Sequence, residues 1–155
     1  MNLSKIPTLL AQLQSSDADL RNQATESLWE TWFWQKGLTG MEQLQRSQSH
    51  LDRGDFKAAE AILNDLIDIH PDFAEAWNRR AVLHYLRQDF QQAIEDCKAT
   101  LALVPYHFGA LHGLGLSYAA TGNIPAAIQA FQSALEIQPH ALINQKLLLE
   151  CMAQL

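Results

Sequence analysis

Apolar residues along the chain are spaced helically, and between residues 40 and 140 the spacing itself repeats every 34 residues. Ala59, Ala93 and Ala127 keep that step, as do Phe56, Phe90 and Ile124, and Pro71, Pro105 and Pro139. Two further columns follow it: Asp55, Asp89 and Asn123, then His50, His84 and Tyr118. A period of this length marks a helix-pair unit that cannot bury its apolar face alone and therefore stacks on its neighbours.

The punctuation predicts where the helices turn. Gly54 with Asp55, Asp89, and Gly122 with Asn123 separate the two helices of each unit. There glycine ends one helix and an Asp or Asn side chain caps the next. Pro125 falls in a first turn, where its missing N–H costs nothing, and Pro139 ends that helix. Small residues sit where paired helices must approach closely: Ser47 with Ala59, Ala81 with Ala93, Gly115 with Ala127. The expected fold is all-α, a right-handed α-solenoid of antiparallel helix pairs over 39–140. Its units run about 40–73, 74–107 and 108–141.

The third unit resembles the tetratricopeptide repeat, with Leu111-x2-Leu114-Gly115-x2-Tyr118, then Ala127-x3-Phe131, then Pro139. The second is similar through Trp77, Ala81, His84, Ala93, Cys97 and Pro105. The first departs from the pattern in its opening helix, where Gln43, Arg46, Ser47 and His50 stand. It keeps Gly54, Asp55, Phe56, Ala59, Leu63 and Pro71 in its second helix. The resemblance implies a protein-binding function on the concave surface, which the first helix of each pair lines. By the same resemblance the inward positions are Met41, Leu44 and Gln48, then Asn78, Val82 and Tyr85, then His112, Leu116 and Ala119. Tetratricopeptide domains that grip acidic chaperone tails use Lys, Asn and Arg, and the matching positions here hold Leu44, Gln48, Arg79, Gly109 and Gly113. Those departures argue against such a clamp and for a neutral, apolar groove suited to a helix or an extended peptide. A groove filled by the protein's own tail is the alternative.

Residues 1–38 lie outside the period and read as a helical hairpin, with helices over about 3–14 and 17–36. Ser16 is the expected cap of the second. LLAQLQSSDADLRNQATESLW is similar to a HEAT repeat, chiefly through Asp17, Arg21, Ala24 and Leu28. Thr39 and Glu42 are spaced as a capping box opening the first unit. Residues 141–155 read as a capping helix, unusually apolar through Leu142, Ile143, Leu147, Leu148, Leu149, Met152 and Leu155. Hairpin, repeats and capping helix are expected to form one continuous solenoid.

The hairpin also contains ESLWETWFWQKG, with Trp29, Trp32, Phe33 and Trp34 in six positions. On a helical wheel Leu20, Ala24, Leu28 and Trp32 form one stripe, and Ala18, Thr25, Trp29 and Phe33 form its neighbour. Trp29, Trp32 and Phe33 are therefore expected in the core between the hairpin and the first repeat. Trp34 fits neither stripe and is a candidate partner-binding residue.

Composition narrows the functions. With 11 basic against 17 acidic residues and a formal charge of −6, the chain lacks a basic stripe for nucleic acid or anionic lipid. No run of 18 apolar residues argues for membrane insertion, and the N-terminus lacks a signal-peptide pattern, so a cytoplasmic location is expected. Cys97 and Cys151 are 54 residues apart, without a CxxC motif, and read as core fillers. His50, His84 and Tyr118 read as a buried column with satisfied polar tips. No metal site, cofactor or catalytic motif is expected; Asp65, Asp68 and Asp72 read as a solvated helix face.

Charge is unevenly placed, however, since residues 99–135 contain no Asp, Glu, Lys or Arg. The leading expectation is a non-enzymatic protein-interaction adaptor or scaffold. By analogy with short bacterial and plastid proteins of this layout, it is an assembly factor for a larger complex. The alternative is a homodimer formed through the neutral third unit and the capping helix.

Overall fold

A computed structural model describes residues 3–155. Among these, helices are the only regular elements: α1 (Ile6–Gln12), α2 (Ala18–Phe33), α3 (Gly37–Asp52), α4 (Phe56–Ile69), α5 (Ala74–Leu86), α6 (Phe90–Leu103), α7 (Phe108–Ala120), α8 (Ile124–Ile137) and α9 (Leu142–Met152). A 3-10 turn, Leu3–Lys5, leads into α1. The pairs α3/α4, α5/α6 and α7/α8 are the three periodic units, and α9 packs on α8.

The same turn chemistry recurs at each pair. Gly54 and Gly122 take the left-handed backbone, at φ +76° and +79°, that closes the first helix. In the second pair Gln88 holds that conformation, at φ +64°, without the freedom of glycine. Asp55 and Asn123 then cap α4 and α8 by accepting from the N–H of Ala58 and Ala126. Asp89 makes no such bond; its carboxylate lies 3.7 Å from Arg87 Nε instead.

Close packing explains the small residues. Ala59, Ala93 and Ala127 are fully buried, and a Cβ on Gly115 would fall 2.6 Å from the ring of Phe131. Leu44, Leu63, Phe73 and Leu83 centre the core of the first two pairs. Phe131 and Cys151 centre that of the last helices.

Several local expectations are corrected. Asp17, not Ser16, caps α2, because its carboxylate accepts from the N–H of Asp19 and Leu20. Helix α3 begins at Gly37, so Thr39 lies inside it and no capping box forms; the N-cap, Lys36, makes no side-chain bond. Helix α2 ends at Phe33, which makes Trp34 its C-cap rather than a helical position. The histidine column is uneven. His50 is half-buried, with Nδ1 3.3 Å from Asp55, whereas buried His84 leaves Nδ1 without a hydrogen bond.

The hairpin departs furthest from its expected place. Instead of adding a layer at the head of the stack, α2 lies along the turns that join successive repeats. Gln35 donates to the Asp72 carbonyl at 2.8 Å, and Lys36 pairs with the Asp72 carboxylate at 2.6 Å. Trp29 and Trp32 pack on Tyr106, His107 and Phe108 at the second turn. At the third, Gln138 reaches Thr25, and Gln14 from the hairpin bend donates to the Glu136 and Ile137 carbonyls. Those carbonyls end α8 and lack intrahelical partners, so the amide fills a need the helix creates.

Candidate functional site

Helices α3, α5 and α7 lie side by side with α4, α6 and α8 behind them, and α2 crosses the N-terminal ends of α5 and α7. What remains of the inner trough is two cavities. One, of about 320 Å³, lies between α2, α3 and α5 and is lined by Phe33, Trp34, Met41, Leu44, Gln48 and Arg79 among others. The other, of about 240 Å³, lies between α5 and α7 and is lined by Asn78, Val82, Tyr85, Cys97, His112 and Leu116 among others.

Trp34 and eight of the nine inward positions named from the sequence thus border one cavity or the other. They differ in access. Trp34 and Val82 are 50% and 41% exposed, whereas Leu44 and Asn78 are buried floor. Ala119 is half-buried against Phe131 and lines neither cavity described. The trough brings Trp34, the C-cap of α2, together with Met41 and Leu44 of α3 at one cavity.

The aromatic stretch separates as the wheel predicts, but on different partners. Trp32 is buried, with its indole stacked on His107 at 4.0 Å; Trp29 stands edge-on to Phe108 at 5.3 Å. Phe33 lies under the guanidinium of Arg79, 4.7 Å from its carbon. Trp32 Nε1 is buried without a hydrogen bond, a cost that its ring packing must outweigh.

Beneath these rings lies a polar network that no motif revealed. Glu75 and His107, both with fully buried side chains, meet at 3.0 Å. The His107 Nδ1 accepts from the Ala110 N–H and caps α7, which leaves Nε2 to donate to Glu75. Arg79 donates from Nε to the same carboxylate at 2.8 Å and also bonds to Gln48. Burial pushes the Glu75 carboxyl up, but the His107 hydrogen bond, with the charge and hydrogen bond of Arg79, holds it below the usual range. Arg79 is therefore committed within the fold. Glu75 and His107 are 32 residues apart, and nothing in their spacing distinguishes them from surface residues.

Behind the trough, Arg80 grips Asp96 bidentately at 2.8 and 2.9 Å and lies over Trp77. Cys97 and Cys151 are free and buried; burial, then the charge of Asp96, pushes the Cys97 thiol up to about 12. Among the described residues no helix is long and apolar enough to cross a membrane, and no three His, Cys, Asp or Glu side chains gather as a metal site.

Comparisons with known proteins match this geometry. Two tetratricopeptide-repeat sequence models match residues 44–108 and 108–141. A TPR repeat-containing protein of Rhizobium etli is 35% identical over 82 residues, 53% of this chain and 40% of that protein. A BBSome complex member homologue of Drosophila melanogaster is 25% identical over 66% of this chain and 20% of its own length. The chain thus spans well under half of either relative. Among solved structures, the first TPR domain of Spaghetti, bound to an HSP90 peptide, superposes with a TM-score of 0.72 at 18% identity, covering 74% of this chain and 90% of that one. MamA superposes at 0.69 and 18% identity over 90% of this chain and 85% of its own. The two repeat matches together take in more than half of the sequence, from the middle of α3 to the end of α8, and the chain belongs to the tetratricopeptide-repeat proteins.

Proposed function

We propose that the chain is a non-enzymatic adaptor that holds a peptide or helix of a partner protein in its inner trough, in the assembly or regulation of a larger complex. The observation that carries this reading is the convergence of nine sequence-named residues on two largely apolar cavities in one trough. Solved neighbours of the same fold are complexed with HSP90 and Hsp70 peptides, which supports peptide binding as a use of this architecture. The acidic-tail chemistry does not carry over. Gly109 and Gly113 offer no donor side chain, and Arg79 already serves Glu75 and Gln48. A cytoplasmic site of action accords with two unpaired thiols.

The test is a Val82→Asp, Tyr85→Ala variant, with partners co-purified from the native source and compared with wild type. Its far-ultraviolet circular dichroism should match wild type while the partner is lost. Unchanged capture by a folded variant refutes the trough as the site.

A second reading, self-association, draws on α9. Leu142, Leu149 and Met152 are 76%, 66% and 50% exposed and stand on one helical face with Lys146. That face is self-complementary: an antiparallel two-fold pairing about residue 148 would place each Lys146 opposite the other copy's Glu150.

A further inference from the structure

Helix α7 carries two glycines one turn apart, Gly109 and Gly113, and the trough uses them differently. At Gly109 the Trp29 indole occupies the space, so an added Cβ would lie 2.6 Å from its Cη2. At Gly113 an added Cβ would meet only Cys97 Sγ, at 3.4 Å. This second notch opens into the cavity between α5 and α7, and Gly109 borders the same cavity. The empty notch therefore continues the seat in which Trp29 already lies.

We infer that the Gly113 notch is a binding subsite for an aromatic side chain, an indole above all, presented by a partner segment lying beside α2. The inference rests on the trough reading and narrows the partner to a chain with an aromatic anchor. Trp29 is the internal precedent: a glycine lets a flat ring lie against the helix backbone, where neighbouring rings meet its edge. The open notch offers matching surroundings, with Val82 and Leu116 as apolar walls and the Tyr85 and His112 rings bordering it.

The volume, about 240 Å³, selects for size. A small aliphatic side chain would leave part of it void, at a cost in lost contacts. No residue lining the cavity is charged, so an ionic side chain would be desolvated without a counter-charge. Its polar groups are largely spoken for: Ser117 Oγ donates to the Gly113 carbonyl, His112 Nδ1 lies 2.6 Å from Asn144, and the Asn78 amide faces Glu75. A large, neutral, aromatic group is what remains.

The experiment is a nuclear magnetic resonance titration of the full chain with N-acetyltryptophanamide, using N-acetylleucinamide as the comparator. Saturable amide shifts centred on residues 78–85 and 109–117 are expected with the indole, and weaker ones with the aliphatic probe. Gly113→Leu places its own side chain in the notch and should weaken indole binding by about tenfold or more. Gly113→Ala, whose Cβ fits beside Cys97, controls for folding, and Val82→Asp puts a charge on an exposed wall and should also abolish the shifts. Absent shifts, shifts elsewhere, equal binding of the leucine probe, or undiminished binding by folded Gly113→Leu each overturn the inference. If the indole fails while Val82→Asp with Tyr85→Ala still loses the partner, the aromatic anchor falls and the trough stands. If that double variant keeps its partner, the trough reading falls whatever the indole does.

Discussion

Helices α2 and α9 flank the same stack, and both carry more apolar surface than a one-sided helix needs. In α2 that surface is covered: Ala24, Leu28 and Trp32 are at most 2% exposed. In α9 Leu142 and Leu149 stand 76% and 66% exposed. The difference is one of reach. Helix α2 and the bends at its two ends run along the turns that follow α4, α6 and α8, which offer aromatic rings and unpaired carbonyls. Helix α9 packs on α8 and touches α7 through Asn144 and His112, and its outer face stays exposed at Leu142 and Leu149. Apolar composition thus shows that a flanking helix wants a partner, but not whether the chain supplies one.

The largest test removes α2 from its seat. Trp32→Ala deletes the ring stacked on His107 and packed on Phe108, and should cost about 3–5 kcal/mol in urea unfolding. If loss is confined to the hairpin, hydrogen exchange will rise first across 6–33 while α4 and α8 stay protected. A uniform rise would mean that hairpin and repeats unfold as one unit. The same substitution in α9, at exposed Leu149, should be nearly silent.

Next in size is the network under that seat. Glu75→Gln removes the charge that Arg79 and His107 share and should cost about 2–3 kcal/mol. The pH dependence follows from the lowered Glu75 carboxyl. A carboxyl held lower in the folded than in the unfolded chain adds stability above its unfolded value, and that stability is lost as pH falls through the folded one. Wild type should therefore lose thermal stability below about pH 4.5, and Glu75→Gln should lose less over the same range. Equal acid slopes would show that other carboxylates dominate.

Smaller still is the contrast between the two glycines of α7. Gly109→Ala forces a methyl into the Trp29 indole and should cost about 1–3 kcal/mol, read by the same unfolding experiment. Gly113→Ala should be neutral or stabilising by up to about 1 kcal/mol, since helix propensity improves and space is free. The two values reversing would contradict the filled and empty notches.

What could be read beforehand follows the physics of each feature. The repeats were legible because one unit is written three times: Ala59, Ala93 and Ala127 face the same packing constraint. The inward positions followed from that period and the family resemblance: eight of the nine line the trough and Ala119 does not, while Trp34, singled out by the wheel instead, does. The seat of α2 was not legible, because it depends on contacts such as Gln14 with Glu136, 122 residues apart, which no local pattern encodes. Trp34 misfits the wheel for a plain reason: it caps α2 from outside the helix. The buried Glu75–His107 pair was hidden because a charged residue in a first turn is ordinarily a surface feature, and only α2 closing over it makes it otherwise.

The smallest expected change in stability falls on α9 and bears most directly on the comparison. Leu149→Glu with Met152→Glu replaces two exposed side chains and should shift folding by no more than about 0.5 kcal/mol per site. Its consequence lies in assembly. If α9 finds its missing layer in a second copy, light scattering after size exclusion will show a concentration-dependent dimer for wild type and a monomer for the variant. The outward face is short and holds a single ion pair, Lys146 with Glu150 at 3.8 Å, so such a dimer belongs at the small end of interfaces and should dissociate on dilution. Reversing one charge, Lys146→Glu, should weaken it, and Lys146→Glu with Glu150→Lys should restore it if the helices pair antiparallel. A wild-type monomer at every concentration would leave α9 uncovered by its own kind, and the contrast with α2 would then be between a helix with a seat and one without.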